Sequence, residues 1–215
     1  MRILLLVGAL MMPPRQATPA VDSVRAQSDS VNAVNFLNDL TIAIHEVARR
    51  NGFDPSVAPV GWLEPEYISA ARKRPDIREY FRRKSAYAAD LSAHMDSIAT
   101  AVIDRQLADA GYPAEEREEM KAAFLRGFNR SSDQQRVILQ TMQRQARMAL
   151  TLHAFLVKAD PYVKMDPRTK HVLFSRPRDH RRYNELAYAI DAANGLLAQA
   201  AGVGATTASA GNGQP

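Results

Sequence analysis

Cysteine is absent from this chain of 215 residues. That excludes disulfides, thiolate metal sites, a cysteine nucleophile and lipidated cysteines. Aromatic residues are scarce, at 7% with a single tryptophan, which suits alanine-rich packed helices better than an aromatic-rich sheet. Long apolar runs are missing too. The run from Ile3 to Met12 is followed at once by Pro13-Pro14, well short of the ~20 apolar residues that span a bilayer. Signature motifs of catalysis are also lacking: there is no Gly-x-Ser-x-Gly elbow, phosphate-binding glycine loop or dinucleotide fingerprint. His45-Glu46 begins like the helical zinc-protease motif, but the second ligand position holds Arg49, a cation that opposes metal. Bundle metal sites use a Glu-x-x-His step, and the residues three before His94 and His153 are Leu91 and Leu150. No catalytic residue, metal ligand or cofactor is expected.

What is present is a core's worth of apolar residues, 46% of the chain, which argues against general disorder. The formal charge of +5 and a sequence pI near 9.6 favour anionic partners. The first twenty residues order a charge (Arg2), an apolar stretch and a small-residue end (Thr18, Ala20), which are the proportions of a secretory signal. Loss of residues 1–20 removes Arg2 and Arg15, leaving 26 basic and 23 acidic residues. An exported, mildly basic protein is expected, periplasmic or extracellular, with no transmembrane span after signal cleavage. Nucleic acid is not an expected partner, because no reading element accompanies the charge.

Residues 21–201 read as one helical-bundle domain and 202–215, small and apolar-poor, as a disordered tail. Val31, Val34, Leu37, Leu40, Thr41, Ile44, Val47 and Ala48 recur at helical steps up to a stop at Asn51-Gly52. A loop follows, anchored by Trp62. Glu64-Pro65 starts a short helix running to Pro75. Asp76 is expected to cap a long helix with a near-heptad seam of Ile77, Phe81, Ala88, Leu91, Met95, Ile98, Val102 and Leu107, ended by Gly111. Pro113 opens a short, acid-headed helix. A further helix from Ser132 to Asp160, capped by Ser131 or Ser132, is the expected central post. Its Leu150–Val157 end should be enclosed by the long helix, the N-terminal helix and the last helix, and its Gln134–Arg147 end should project toward solvent or a shallow groove near the acid-headed helix. Tyr162–Phe174 reads as strand, turn and strand around Asp166-Pro167, and Asn184–Ala201 as a last helix. The fold class is therefore all-α: five to six helices in an up-and-down-like bundle with long central helices and a small C-terminal β-hairpin at 162–174.

Two arginine clusters are candidates for binding an anionic partner, since guanidinium suits phosphate and carboxylate. The first comprises Arg72, Lys73, Arg74, Arg78, Arg82 and Arg83; the second comprises Arg176, Arg178, Arg181 and Arg182. A polar face of Gln140, Gln143, Arg144 and Arg147 on the central helix is a third candidate. Solvated ion-pair surface competes with both arginine clusters, because Asp76, Glu79, Asp179 and Glu185 interleave their charge.

A cysteine-free, Gln- and Arg-rich exported helical chain resembles the Spy-like periplasmic chaperones in composition and in one helix entry. Their Leu-Thr-x-x-Gln motif would fall near Ser131-Ser132-Asp133-Gln134-Gln135, where Leu and Thr are missing. No functional residue carries over. The leading expectation is a non-catalytic binding or structural role in a bacterial-type envelope, toward anionic envelope components or a protein client. A holdase chaperone is the first alternative and a hydrolase or metal-dependent enzyme with a non-local site the second.

Overall fold

The structure, a computed structural model, describes residues 22–200, with side chains placed from 34 to 129 and from 132 to 200. The expected signal at 1–20 and the tail at 202–215 lie outside the described residues. In order, the elements are α1 (Asp22–Arg50), α2 (Pro65–Ser69), a 3-10 turn (Ala71–Lys73), α3 (Pro75–Asp109), α4 (Ala114–Ala159), a second 3-10 turn (Asp160–Tyr162), β1 (Val163–Met165), β2 (Val172–Phe174) and α5 (Pro177–Ala200). The result is an all-α bundle carrying a two-stranded antiparallel hairpin, as the sequence predicts.

α3 and α4 form a long antiparallel pair, and the remaining elements cover its two halves. α1 covers one half. Phe36, Leu40, Ile44 and Val47 of α1 pack with Tyr87, Leu91, Met95, Ala99 and Val102 of α3, and with Phe128 and Leu139 of α4. The other half is covered by α2, the hairpin and α5: Tyr67, Ile68, Val163, Leu186 and Ile190 close over Ile77, Phe81, Ala149, Leu152 and Leu156. The N-terminal helix therefore lies against the early half of α4, not against Leu150–Val157 as expected from sequence. α1 stops at Asn51-Gly52, where Gly52 takes φ +59°. That left-handed conformation is cheap only for glycine. It lets the Phe53 amide donate back to the Ala48 carbonyl at 2.9 Å and stacks the buried Phe53 ring on Tyr87, centroids 5.0 Å apart.

Several expectations are corrected. The acid-headed helix and the central post are one helix of 46 residues, roughly 70 Å long at ~1.5 Å per residue. Gly127, between the two segments, is exposed and continues the helix, at a cost of about 1 kcal/mol relative to alanine. Phe124 and Phe128 hold both sides of it against Phe36, at 4.3 and 6.3 Å between centroids. Ser132 is not a cap: its hydroxyl donates to the Asn129 carbonyl inside the helix, a local bond that helices tolerate. Pro75 occupies the first turn of α3 with Arg74 as its N-cap residue, so Asp76 sits in the first turn and receives the Arg74 guanidinium at 2.8 Å. The helix expected to run from Pro65 to Pro75 breaks after Ser69 and resumes as the 3-10 turn. α5 starts at Pro177, seven residues before Asn184, because proline is well placed in a first helical turn. Its first two turns thus carry Arg178, Arg181 and Arg182 of the second arginine cluster, with Arg176 just before the helix.

The Gln134–Arg147 stretch is not wholly solvated either. Ser132, Gln135 and Gln145 are buried, and Gln145 joins three helices, accepting from Lys84 of α3 and donating to Asn194 of α5. Lys84 and Gln145 lie between the two apolar clusters, as a polar layer separating them. His94 and His153 do not meet. His94 is exposed and bonded to Asp90 one turn back, whereas His153 is buried against α2.

Candidate anion-binding surface

Most of the first arginine cluster is spent on holding local structure. Arg82 and Arg83 both bind Glu79 at 2.7 Å, which holds that carboxyl down at about 2. Arg83 also donates to the Gly52 carbonyl at 3.1 Å, tying α3 to the end of α1. Arg74 bonds Asp76 and the Val60 carbonyl, the latter at 2.7 Å, fixing the loop before α2. Arg72 reaches Asp160 at 3.8 Å and the Val157 carbonyl at 3.4 Å. That last pair is informative, because it places the start of α3 beside the end of α4. Lys73 and Arg78 make no ion pair among the described residues.

In the second cluster Arg178 pairs with Asp179 at 3.4 Å and Arg182 with Glu185 at 2.9 Å. Arg176 lies over the Tyr162 ring, 3.1 Å from its centroid, and Arg181 has no carboxylate partner among the described residues. α2 packs on both strands of the hairpin, and Lys170 at the hairpin turn approaches Glu66 of α2 at 3.9 Å. The fold thus brings the two clusters, a hundred residues apart in sequence, to one end of the bundle. Arg82 and Arg83 stand apart from this end, drawn toward Gly52.

The third candidate is the polar face of α4. Gln140, Arg144 and Arg147 are exposed and Gln143 is half-buried. With Thr151, Ala154 and Lys158 they form the outward stripe of α4, because these positions fall on the side opposite Ala146, Ala149 and His153 at ~100° per residue. From Gln140 to Lys158 this stripe holds three cations and no carboxylate.

A further set of cations was missed by motif reading: Lys158, Lys164 and Arg168. None pairs with a carboxylate among the described residues. The signal that finds them is charge counted by segment. Between Lys158 and Glu185 eight basic residues face four acidic ones, while from Asp22 to Val157 eighteen face eighteen. The positive excess of the folded chain is concentrated at the hairpin. Its outward face is laid out by the register, in which Lys164 opposes Leu173. Both are exposed, while Val163 is buried beneath. The turn between the strands is rigidified by Asp166, whose carboxylate accepts from the amides of Arg168 and Thr169 at 2.8 and 3.2 Å. Those bonds hold the Asp166 carboxyl below its usual range.

Two buried polar groups sit behind this end. Tyr67 (1% exposed) and His153 (6%) meet with Oη 3.1 Å from Nδ1, joining α2 to α4. A neutral imidazole protonated on Nε2 accepts the phenol proton there. Burial lowers the His153 pKa and the charge of Arg78 adds to this, with Asp76 opposing. The unfolded chain therefore binds the proton first as pH falls from about 6.5. The stability this group preserves is present above that pH and is lost progressively below it. The Trp62 ring lies 5.2 Å from Tyr67 and 4.5 Å from Phe81, so the only tryptophan reports on this contact. Urea midpoints followed by its fluorescence should fall from pH 7 to pH 5, and H153Q should flatten that dependence. An unchanged slope in the variant would assign the acid sensitivity to other groups.

Among the described residues no group of three or more His, Asp or Glu side chains is placed to hold a metal ion, and no helix is long and apolar enough to cross a membrane. The chain matches no protein-family model, no curated protein and no solved structure.

Proposed function

We propose that this chain is an exported, non-catalytic binding protein whose hairpin end docks on anionic components of a bacterial-type envelope. Export rests on the charge, apolar and small-residue order of residues 1–20. The observation that carries the binding reading is the segregation of charge. The body of the bundle carries equal numbers of basic and acidic residues, whereas Lys158, Lys164, Arg168 and Arg181 lie toward one end without carboxylate partners among the described residues. Arg144 and Arg147 extend the cationic surface along α4. A solvated protein surface ordinarily interleaves its signs, and a pole of unpaired cations attracts anions at a range set by the Debye length, about 10 Å at 0.1 M salt.

The reading is tested with vesicles of phosphatidylglycerol and phosphatidylcholine. Binding should be strong at low ionic strength, fall steeply with added salt and vanish on phosphatidylcholine alone. Each cation near an anionic surface contributes about 1 kcal/mol, so R181S should weaken binding roughly fivefold. Absence of binding at low salt, or binding indifferent to salt and to R181S, overturns the reading.

A further inference from the structure

Building on the anionic-surface reading above, we infer that the partner of the hairpin end is the lipid bilayer itself, with Leu173 entering the headgroup region while the surrounding cations hold the phosphates. Leu173 is 56% exposed although it lies in a strand. It stands opposite Lys164 on the outward face of the hairpin, with Arg168 and Lys170 at the turn and Arg176 stacked on Tyr162 at the other end. Val60, 84% exposed, belongs to the same end of the bundle. Its loop is tied down by the Arg74 bond to its carbonyl, and Trp62 packs that loop on Tyr67 of α2. Apolar tips held on braced backbone and ringed by long cationic side chains match the chemistry of a membrane interface. There the apolar atoms leave water and the ammonium and guanidinium groups stay at headgroup level.

The size of the face favours a bilayer over a folded acidic protein. Each strand is three residues long, about 10 Å at ~3.3 Å per residue. The apolar tip offered by one such strand is too short to form the core of an ordinary protein interface, to which each partner contributes ~800 Å². A bilayer needs no matching contour, since it accepts a small apolar tip and arranges headgroups around the cations.

L173S separates lipid insertion from charge attraction, because it removes apolar surface at an exposed position and leaves every charge in place. Binding of the full chain is measured on phosphatidylglycerol vesicles and, in parallel, on immobilised polyphosphate, which offers anions without an apolar phase. The apolar run at Ile3–Met12 is common to both proteins, so the difference between them reads the hairpin alone. L173S should bind vesicles roughly tenfold more weakly and polyphosphate as the parent does, with circular dichroism unchanged. Equal vesicle binding by L173S and the parent overturns lipid insertion and leaves the anionic reading standing. Binding to polyphosphate but not to vesicles also overturns insertion. Binding to neither ligand overturns both.

Discussion

Phe36→Ala should cost about 3–5 kcal/mol of folding stability, the range for truncating a buried aromatic to alanine. Phe36 is almost fully enclosed. Its ring meets Phe124 edge-on at 4.3 Å and Phe128 at 6.3 Å, so it joins α1 to the stretch of α4 that contains Gly127. Two losses combine: the transfer free energy of the ring, and a cavity that two helices can fill only by shifting together. Val34, two residues earlier on the same helix, is 56% exposed, and V34A should change stability by no more than about 0.5 kcal/mol. Urea denaturation with both variants measures the contrast. A Phe36→Ala midpoint within error of the parent would mean that α1 contributes little to the cooperative unit.

The second large effect has the opposite sign. Lys84→Met should stabilise the protein by about 2 kcal/mol at pH 7. The Lys84 ammonium is taken out of water between α3, α4 and α5 with an amide oxygen, that of Gln145, as its polar partner. The Phe81 ring lies 6.0 Å away, at the outer limit of a cation–π contact. Burial pushes the ammonium down from the ordinary 10.5 to about 8. At 1.36 kcal/mol per unit, keeping the buried group charged at neutral pH costs about 3 kcal/mol. Methionine fills a similar volume without that penalty, and about 1 kcal/mol is returned because Gln145 loses a donor. The pH dependence provides a second readout. Above pH 8 the folded chain sheds a proton that the unfolded chain still holds, so stability rises with pH. From pH 7 to about 9.5 the parent should gain about 2 kcal/mol from this group, an increment that K84M should lack; the ionisation of unfolded tyrosines that begins near the upper limit is common to both proteins. Destabilisation of K84M at pH 7 would show instead that the polar layer holds the three helices in register more strongly than it strains them.

These two residues also mark the limit of what periodicity reveals. Spacing identified the α3 seam almost completely: Ile77, Phe81, Ala88, Leu91, Met95, Val102 and Leu107 are all buried. A helix paired along its whole length keeps one face inward, so a repeat of three and four residues reads directly as burial. On α1 the same reasoning chose Val34 and passed over Phe36. At ~100° per residue Val34 falls about 160° round the helix from Phe36, outside the stripe of Phe36, Leu40, Ile44 and Val47 that the partner helices bury. Lys84 reads as an ordinary member of a basic run with Arg82 and Arg83. Its burial depends on Gln145 and Asn194, distant in sequence and brought together only by the packing of three helices.

The candidate surface divides along the same line. Both arginine clusters and the α4 face were visible as charged residues, but a one-dimensional string cannot tell a cation that caps a loop from one that faces solvent. Glu79 lies one turn from Arg82 and Arg83, near enough to be suspected, whereas the Arg74 bond to Val60 and the Arg83 bond to Gly52 span loops. The sequence by itself determined the helical class, the hairpin and its turn, because these follow from periods and turn chemistry that each segment carries within itself. It also determined the segmental charge excess at Lys158–Glu185. Only the tertiary structure decided that α4 runs unbroken through Gly127 and that α1 and α5 cover opposite halves of the α3–α4 pair. It likewise decided which cations are left without partners. Those outcomes depend on the side chains that meet across helices, where the free energy of burying Phe124 and Phe128 on Phe36 outweighs the local preference of a glycine to end a helix.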